Sequence, residues 1–358
     1  MKPDLRSLTE SDLLEFCLHH HQPGFRAAQI LDWLYHKRVS GVEEMKNLPQ
    51  TFLEILKEKL SLKIPKLERD GGSKDSTQKF LLKLDDGQFI ETVLIPASVG
   101  LYGDQSDRHT ICVSTQVGCA YGCKFCASGL DGFRRNLTTD EMIGQFVLVE
   151  KESGQKINNL VFMGMGEPLA NYKNLLRAIH IFNAKWGIGL GARKITISTS
   201  GLAPQIRELA RENLQVRLAI SLHGARDEVR NKMMPINRKY PLAELIAACE
   251  DYQKVRRRLI TFEYILLEGI NDHLSETPFL AKLAKRLHAK VNLIPFNEVL
   301  ETGFKRPSDE RCEQFRKEMV RLGITATLRT EKGHDIDAAC GQLRLREIRL
   351  ENKRPLTH

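Results

Sequence analysis

A strand followed by a helix recurs along the chain from about residue 111 to residue 321. The strands predicted from runs of β-branched and apolar residues cover 111–115, 159–163, 194–198, 216–221, 259–266 and 290–294. The helices predicted between or after them include 140–151, 204–212, 241–254, 275–288 and 308–321. Such alternation indicates an α/β fold with parallel strands and helical crossovers. Six units favour a partial (β/α)6 barrel over a complete TIM barrel, and an open Rossmann-type sheet is the alternative.

The segments outside this pattern predict smaller units. Apolar residues at helical spacing in three runs predict a helical domain over residues 1–68. Residues 69–97 alternate between apolar and polar and carry the turn signal Asp85-Asp86-Gly87, which predicts a β-hairpin linker. The core is then expected over 98–343. Residues 344–358 are rich in arginine and lysine and predict a basic C-terminal tail, which is expected to be a solvated segment or, alternatively, a disordered arm that touches RNA.

Three cysteines within eight residues, Cys119, Cys123 and Cys126, form the pattern CxxxCxxC. Thiols at this spacing can converge on one inorganic centre. We interpret them as ligands of a four-iron cluster that leaves one iron open to a small chelating molecule. A zinc site is the alternative, but it usually needs two CxxC-like pairs, and the chain has no second pair. Tyr121 and Phe125, between the ligands, are expected to shield the centre from water.

Length, charge and hydropathy limit the class of protein. The chain has 358 residues and a net charge of +9, which suits a large domain with a smaller one and suggests a polyanionic partner such as nucleic acid. No apolar run reaches the roughly 18 residues of a membrane span, and the N-terminal residues are too acidic for a signal peptide. The eight cysteines are too clustered for a secreted disulfide scaffold. We therefore expect a cytoplasmic protein without membrane contact.

Four short motifs lie where predicted strands end. They are GMGEPL at 164–169, STSG at 198–201, SLHG at 221–224 and IPFN at 294–297. The carboxyl ends of parallel strands meet at one edge of a sheet. These motifs therefore predict one pocket above the cysteine loop, the segment that carries Cys119, Cys123 and Cys126. Gly164 and Gly166 would let backbone approach a ligand, and Glu167 would accept from a ligand amine. Alone, GMGEP after a strand is more often a plain turn, and a single histidine such as His223 is more often a packed or hydrogen-bonded residue than a ligand. The shared position of the motifs is what favours a site.

Further motifs carry a resemblance to a known family. CVSTQVGC at 112–119 and DIDAACGQL at 335–343 accompany CxxxCxxC and the strand-end motifs. From about residue 25 to about residue 343 the chain resembles the radical S-adenosylmethionine (radical SAM) superfamily and, within it, the RlmN/Cfr family of RNA methyltransferases. The resemblance implies a radical SAM barrel, and a [4Fe–4S] cluster held by the three motif cysteines and by SAM. It also implies that SAM is bound by Gly166, Glu167, Ser198, Ser221, Leu222, His223 and Asn297.

The resemblance assigns catalytic roles to three more residues. Cys340, flanked by small residues, would be methylated on sulfur by one SAM and would then donate the carbon, while a second SAM per turnover supplies the radical. Glu91, in the strand FIETVLIP, would remove the proton from C2 of adenine. Cys112 would be the resolving thiol that forms a transient disulfide with Cys340. Taken singly, Glu91 would be a surface acid of its strand and the two thiols ordinary buried cysteines.

The implied activity is methylation of C2 of an adenine in the peptidyl-transferase region of 23S rRNA and of an adenine next to the anticodon of tRNA. A monomer and an electron donor such as flavodoxin or ferredoxin are implied as well. VSTQVGC favours the C2 enzymes, and C8 methylation of the same ribosomal adenine, as by Cfr, is the near alternative. The alternative from another class is a non-catalytic, metal-stabilised RNA-binding module.

Overall fold

The computed structural model describes residues 2–73, 76–97, 107–329 and 341–353. Ten of its strands form one mixed sheet in the order β1-β2-β3-β4-β7-β8-β9-β10-β11-β12, and β5 pairs with β6 separately. The strands are β1 (Lys66–Gly72), β2 (Gln78–Lys83), β3 (Phe89–Pro96), β4 (His109–Cys112), β5 (Gln116–Gly118), β6 (Phe133–Asn136), β7 (Asn159–Phe162), β8 (Ile195–Thr199), β9 (Arg217–Ser221), β10 (Ile260–Leu266), β11 (Lys290–Pro295) and β12 (Ala326–Leu328).

The helices of the described ranges lie before, between and after these strands. They are α1 (Glu10–His19), α2 (Phe25–Tyr35), α3 (Gln50–Lys59), α4 (Thr139–Ser153), α5 (Tyr172–Asn183), α6 (Ala203–Arg211), α7 (Asp227–Met233), α8 (Leu242–Arg256), α9 (Thr277–Arg286), α10 (Asp309–Arg321) and α11 (Gln342–Lys353). Within the described parts of the chain, none of these helices has the length and apolar character needed to cross a membrane.

The parallel part of the sheet runs from β4 to β12. Six of its strands coincide with the predicted ones, and β12 is a short addition. The strands are apolar because helices cover the sheet; Ile195, Ile197 and Ile220, for example, are fully buried. Each strand joins on the same side as the one before it. A Rossmann-type sheet reverses its order at a switch point, so the order from β4 to β12 fits the barrel-type alternative.

The segment predicted as a hairpin linker is instead the antiparallel edge of the main sheet. It contains three strands, β1 to β3, and β3 pairs with β4 through Val93 opposite Cys112. The predicted boundary at residue 68 falls inside β1. The predicted turn is confirmed: Gly87 has a φ of +80°, which glycine adopts without the penalty of a Cβ, and its N–H donates to the Leu84 carbonyl.

The N-terminal helices α1 to α3 form the expected small helical domain. It is docked on α4 and α5 through polar and apolar contacts. The Arg177 guanidinium of α5 donates to the Ser7 carbonyl, and Arg38 pairs with Glu150 of α4 at 2.5 Å. The side chain of Pro65 lies so close to Gly144 that a Cβ there would be 2.7 Å from it. The domain is therefore in direct contact with the helix that follows the cysteine loop.

The chain after Gly341 differs from the expected solvated tail. Residues 342–353 form α11, whose Leu343 packs with Leu81 and Phe89 in a small apolar cluster. Arg344 is only 1% exposed because its guanidinium donates to the Phe89 carbonyl and to Asp131. The positive charge of this segment suggested a solvated arm, whereas the main partners of Arg344 lie more than 200 positions away in sequence. Residues 354–358 lie outside the described ranges.

Candidate active site

A cavity of about 350 Å³ lies at the carboxyl ends of the parallel strands. This volume is in the range of sites for small molecules and cofactors. The predicted site residues that line it are Cys112, Cys119, Cys123, Cys126, Gly166, Glu167, Ser198, Ser221, His223 and Asn297. The structure thus brings the cysteine motif and all four strand-end motifs together, as expected from the shared position of those motifs.

Two predicted site residues in the described ranges do not line the cavity, and a third is not described. Leu222 is fully buried behind the lining, where its carbonyl accepts from the guanidinium of Arg230. Glu91 lies on β3, against the beginning of α11. Cys340 lies outside the described residues, and the described chain resumes at Gly341.

The small sheet β5–β6 positions the cysteine loop. The Cys119 N–H donates to the Gly132 carbonyl at the base of this hairpin. The Lys124 N–H donates to the carbonyl of Met233, the last residue of α7. Gly118, with a φ of +74°, has no room for a side chain because a Cβ would be 1.8 Å from the Gly132 oxygen. The loop is thereby fixed at its beginning and in its middle.

Burial governs the chemistry of the motif thiols. It raises the pKa of Cys119 to about 12 and raises the pKa of Cys123 as well, because a thiolate loses hydration in an apolar site. Without a metal these thiols are protonated at neutral pH. Binding of a cationic metal centre would replace the protons, since thiolates are the ligands of such centres.

The donor chemistry fits an iron–sulfur cluster. Cys119, Cys123 and Cys126 line one cavity, and Cys123 interacts electrostatically with the other two. In the described ranges, no three histidine, cysteine, aspartate or glutamate side chains are arranged to hold a single ion. Three cysteines around an open space suit a cluster with one free iron.

Glu167 joins two of the strand-end motifs. Its carboxylate accepts from the Ser200 N–H and hydroxyl, both at 2.7 Å, and from the Leu169 N–H at 3.0 Å. Burial raises the pKa of this carboxyl, while these hydrogen bonds act in the opposite direction. The carboxylate thus holds the STSG turn against the GMGEP loop, and its other lone pairs are available to a cavity ligand.

The two glycines before Glu167 line the cavity and also make a close contact within the protein. A Cβ at Gly164 would meet the Ser114 backbone at 2.8 Å, and a Cβ at Gly166 would meet Gln116 at 2.4 Å. Gly166 also has a φ of +95°, which side-chain-bearing residues rarely adopt. Both glycines therefore press this loop against the chain that leads into the cysteine motif.

His223 is a neutral hydrogen-bond donor on the cavity wall. Its Nδ1 accepts from the Ile265 N–H at 3.0 Å, so in the neutral ring the proton is on Nε2. Burial, together with the charge of Arg230, lowers the pKa of His223 to about 3. The ring also packs edge-on against Phe125 of the cysteine loop, with centroids 5.0 Å apart. His223 is therefore both packed against the cysteine loop and part of the cavity wall.

Polar groups on the neighbouring strands complete the wall. The Ser198 and Ser221 hydroxyls are 3.2 Å apart at the ends of β8 and β9. Asn297, after β11, has a buried Oδ1 with no hydrogen-bond partner in the described structure. An unsatisfied buried acceptor on a cavity wall is what a bound ligand with a donor group would satisfy. These side chains therefore fit a polar cofactor such as SAM.

Sequence reasoning missed two charged residues of the wall. Glu263 of β10 is 6% exposed and accepts from the Asn292 amide at 2.8 Å. Arg329 lines the same cavity and interacts electrostatically with Glu263. The signal for Glu263 was an acidic residue inside an otherwise apolar strand. Arg329 follows the short strand β12, which the sequence pattern did not predict.

Glu91 is buried rather than exposed in an alternating strand. It is 2% exposed and pairs with Lys79 at 2.9 Å. Its carboxylate also accepts from the N–H groups of Gly341 at 2.7 Å and Arg344 at 2.6 Å. These contacts cap the N-terminus of α11 and place Glu91 against the residue that follows Cys340 in the chain.

Cys112 is a fourth thiol on the cavity wall. It ends β4, is 6% exposed, and lies outside the CxxxCxxC triplet. Cys340, the expected partner of Cys112 in a transient disulfide, lies outside the described residues, so this pairing stays a prediction.

Comparison with known proteins finds a match for the N-terminal domain and another for the core. Residues 3–62 match the ribosomal RNA large subunit methyltransferase N-terminal domain, and residues 113–278 match the radical SAM superfamily. A solved radical SAM methyltransferase from Sphaerobacter thermophilus is 43% identical, with a TM-score of 0.89 over 95% of this chain and 98% of that one. The expected radical SAM fold with an N-terminal helical region is confirmed.

Relatives of known type match almost the whole chain. A protein of Akkermansia muciniphila, named "Probable dual-specificity RNA methyltransferase RlmN", is 50% identical over 96% of both chains. One of Opitutus terrae, "Probable dual-specificity RNA methyltransferase RlmN 3", is 48% identical over 96% of this chain and 95% of its own. At such identity and coverage, together with the cysteine motif and its cavity, the chain belongs to the RlmN family of radical SAM enzymes.

Proposed function

We propose that this protein is an RNA methyltransferase that places a methyl group on C2 of adenine in 23S rRNA and in tRNA. The observation that carries the proposal is the cavity shared by the three motif cysteines and Cys112. A cluster with three protein ligands accounts for the triplet, and Cys112 beside it supplies a thiol for other chemistry. Membership of the RlmN family, whose relatives are named dual-specificity RNA methyltransferases, favours this activity over a non-catalytic RNA-binding module and over Cfr-type C8 methylation.

The cavity residues would hold the cofactors. Cys119, Cys123 and Cys126 would bind a [4Fe–4S] cluster, and the polar wall from Glu167 to Asn297 would bind and orient SAM. When bound, the cluster and SAM supply a carbon-centred radical for hydrogen abstraction. The apolar side chains around the thiols, including Phe125, would exclude water from that step.

The reaction on RNA would be divided among three residues. Cys340 would carry a methyl group on its sulfur and form the bond to C2 of adenine. Glu91, against the Gly341 backbone, would accept the C2 proton. One electron would leave the adduct along with the C2 proton and pass to an external carrier. The Cys112 thiolate would then attack the Cys340 sulfur and break its bond to the transferred carbon, which takes up a proton to complete the methyl group. A disulfide remains for an external reductant to open.

The remaining parts of the proposal concern partners. The basic charge of the chain, +9, suits contacts to RNA phosphates, and the target adenine would enter the cavity as an exposed, unstacked base. We propose that the protein acts as a monomer in the cytoplasm and receives electrons from a donor such as flavodoxin or ferredoxin.

Two cysteine variants test the proposal at different steps. Cys340→Ala should retain the cluster but form neither methylated adenine nor a covalent RNA adduct. Cys112→Ala should accumulate a protein–RNA crosslink through Cys340, because no thiolate is placed to release the product. Denaturing gels with and without ribonuclease, and mass spectrometry of the nucleosides, give the readout.

A matched control uses Cys249, a fully buried cysteine of α8 that does not line the cavity. Cys249→Ala should methylate RNA normally. Methylated adenine released at the wild-type rate by Cys112→Ala, or any methylation by Cys340→Ala, would contradict the two-thiol scheme. Methylation at C8 would assign the Cfr-type activity, and stoichiometric zinc in place of about four irons per chain would support the binding module.

A further inference from the structure

The beginning of α11 touches the cysteine loop directly. Gly341 has a φ of +94°, and a Cβ on it would be 2.6 Å from the Ser128 nitrogen and 2.9 Å from the Ala127 carbonyl carbon. Ala127 and Ser128 follow Cys126 immediately, and Gly341 follows Cys340 immediately. The backbone just after Cys340 therefore packs against the backbone just after Cys126.

An ion pair between a buried arginine and a partly exposed aspartate joins the same two segments. The aspartate is 25% exposed and also lies 3.4 Å from the Arg134 guanidinium. The Arg344 guanidinium, in the first turn of α11, contacts the Asp131 carboxylate of the cysteine loop at 3.0 Å. Arg344 is 1% exposed, and its Nε donates to the Phe89 carbonyl. A buried charge without its partner is costly, so the pair keeps its two segments together more firmly than a surface pair could.

The proposed reaction gives this junction a purpose. Cys340 has to meet two partners, the SAM held beside the cluster and the adenine, and its reach depends on where the adjoining backbone is anchored. Small displacements of reacting groups lower rates steeply. Ala127 and Ser128 line the cavity, whereas Asp131, Gly341 and Arg344 do not. The ion pair would therefore act by positioning the chain next to Cys340.

We propose that Arg344 and Asp131 are positioning residues, whose ion pair, together with the Gly341–Ser128 contact, docks the Cys340 end of the chain onto the cysteine loop. This inference rests on the proposed function, in which Cys340 carries the methyl group. These two contacts determine the fraction of radical-forming events that lead to methyl transfer. They do not contribute to RNA affinity or to cluster binding.

The test uses the cluster-loaded full chain and the variants Arg344→Met, Asp131→Asn and Arg344→Lys. The first readout is amide hydrogen exchange of residues 127–132 and 341–347. Arg344→Met and Asp131→Asn should each increase exchange in both segments, and Arg344→Lys, which keeps the charge, should restore most of the protection. The double variant should resemble the single ones, because each removes the same pair.

The second readout is the number of 5′-deoxyadenosine molecules formed per methylated adenine. Arg344→Met should raise this ratio roughly tenfold, with the KM for RNA unchanged. The matched control is Arg349→Met. It removes the exposed pair that Arg349, also in α11, makes with Glu301 outside that helix, and it should change neither readout. If Arg344→Met does not fold, Asp131→Asn, at a partly exposed site, gives the same comparison.

The outcomes separate this inference from the function on which it rests. A normal ratio in Arg344→Met and Asp131→Asn, or an equal effect of Arg349→Met, would overturn the dock while wild-type methylation stands. Failure of the wild-type protein to methylate adenine, or methylation by Cys340→Ala, would instead overturn the proposed function. Faster exchange with an unchanged ratio would make the pair structural only and would also overturn the positioning role.

Discussion

Buried charged side chains hold the loops of this site together. Glu167 fastens the STSG turn to the GMGEP loop. Arg230 donates to the carbonyls of Ser200 and Leu222 and so connects STSG with SLHG. Removing one partner of a buried, hydrogen-bonded charge typically costs about 3–5 kcal/mol. The rigidity of the cavity wall therefore depends on a few residues that need not touch the ligand.

His223 gives a test of this wall at the scale of one residue. Because its folded pKa is about 3 and its unfolded pKa about 6.5, the folded state binds fewer protons between these values. This histidine therefore stabilises the fold above about pH 6.5, and that contribution is lost as the pH falls towards 3. Exchange of the His223 ring C2 proton, followed by mass spectrometry, should show no inflection between about pH 5 and pH 8.

The control for this measurement is the same histidine in the urea-unfolded chain, where an inflection near its ordinary pKa is expected. An inflection near pH 6.5 in the folded protein would mean that the ring is solvated or has a carboxylate partner. It would also remove the argument that His223 presents a neutral Nε2–H to a cavity ligand.

At the scale of elements, local pattern predicted most of the core. The six predicted parallel strands and the helices between them were placed within a few residues, because apolar runs of β-branched residues and helical periodicity are local properties. The sequence also predicted that the four strand-end motifs lie around one cavity, because parallel strands end at the same edge of a sheet. Burial of Glu91, Arg344 and Lys79 could not be predicted, because their partners are far apart in sequence. The same cause hid β12 and the docking of α11.

The β5–β6 hairpin gives a prediction at this scale. Gly118→Ala should cost about 1–2 kcal/mol for the left-handed backbone and about 1–3 kcal/mol more for the clash with the Gly132 carbonyl. That carbonyl accepts from the Cys119 N–H, so displacing it should also reduce iron bound per chain. Urea unfolding and iron analysis after anaerobic reconstitution give the measurement.

Gly132 of the same hairpin provides the matched control. Its φ is +70°, but a Cβ on it would meet nothing within 4 Å. Gly132→Ala should therefore show the backbone cost alone and retain its iron. Equal iron loss in both variants would attribute the effect to backbone strain and not to displacement of the cysteine loop.

At the scale of the whole molecule, the two domains are joined through α4. This helix carries Gly144 and Glu150 on the face that meets the N-terminal domain, and it begins three residues after β6, which pairs with the start of the cysteine loop. The helix α4 therefore contacts both the N-terminal domain and the strand pair that holds the cysteine loop, and α5 adds a second contact to the domain through Arg177. An RNA bound by both the domain and the site would be sensitive to the angle between them.

Gly144→Ala tests this arrangement. The new methyl group would lie 2.7 Å from the Pro65 ring, and relieving the overlap requires the N-terminal domain to shift, at a cost of about 1–3 kcal/mol. If the domain orients RNA, the KM for RNA should rise, by roughly fivefold for each 1 kcal/mol lost from binding. Methylation of Cys340 by SAM, which needs no RNA, should be unchanged when followed by mass spectrometry of its peptide.

Gly154→Ala is the control, because Gly154 ends the same helix in open space. An unchanged KM in Gly144→Ala, or an equal rise in Gly154→Ala, would show that the orientation set by α4 does not govern RNA binding.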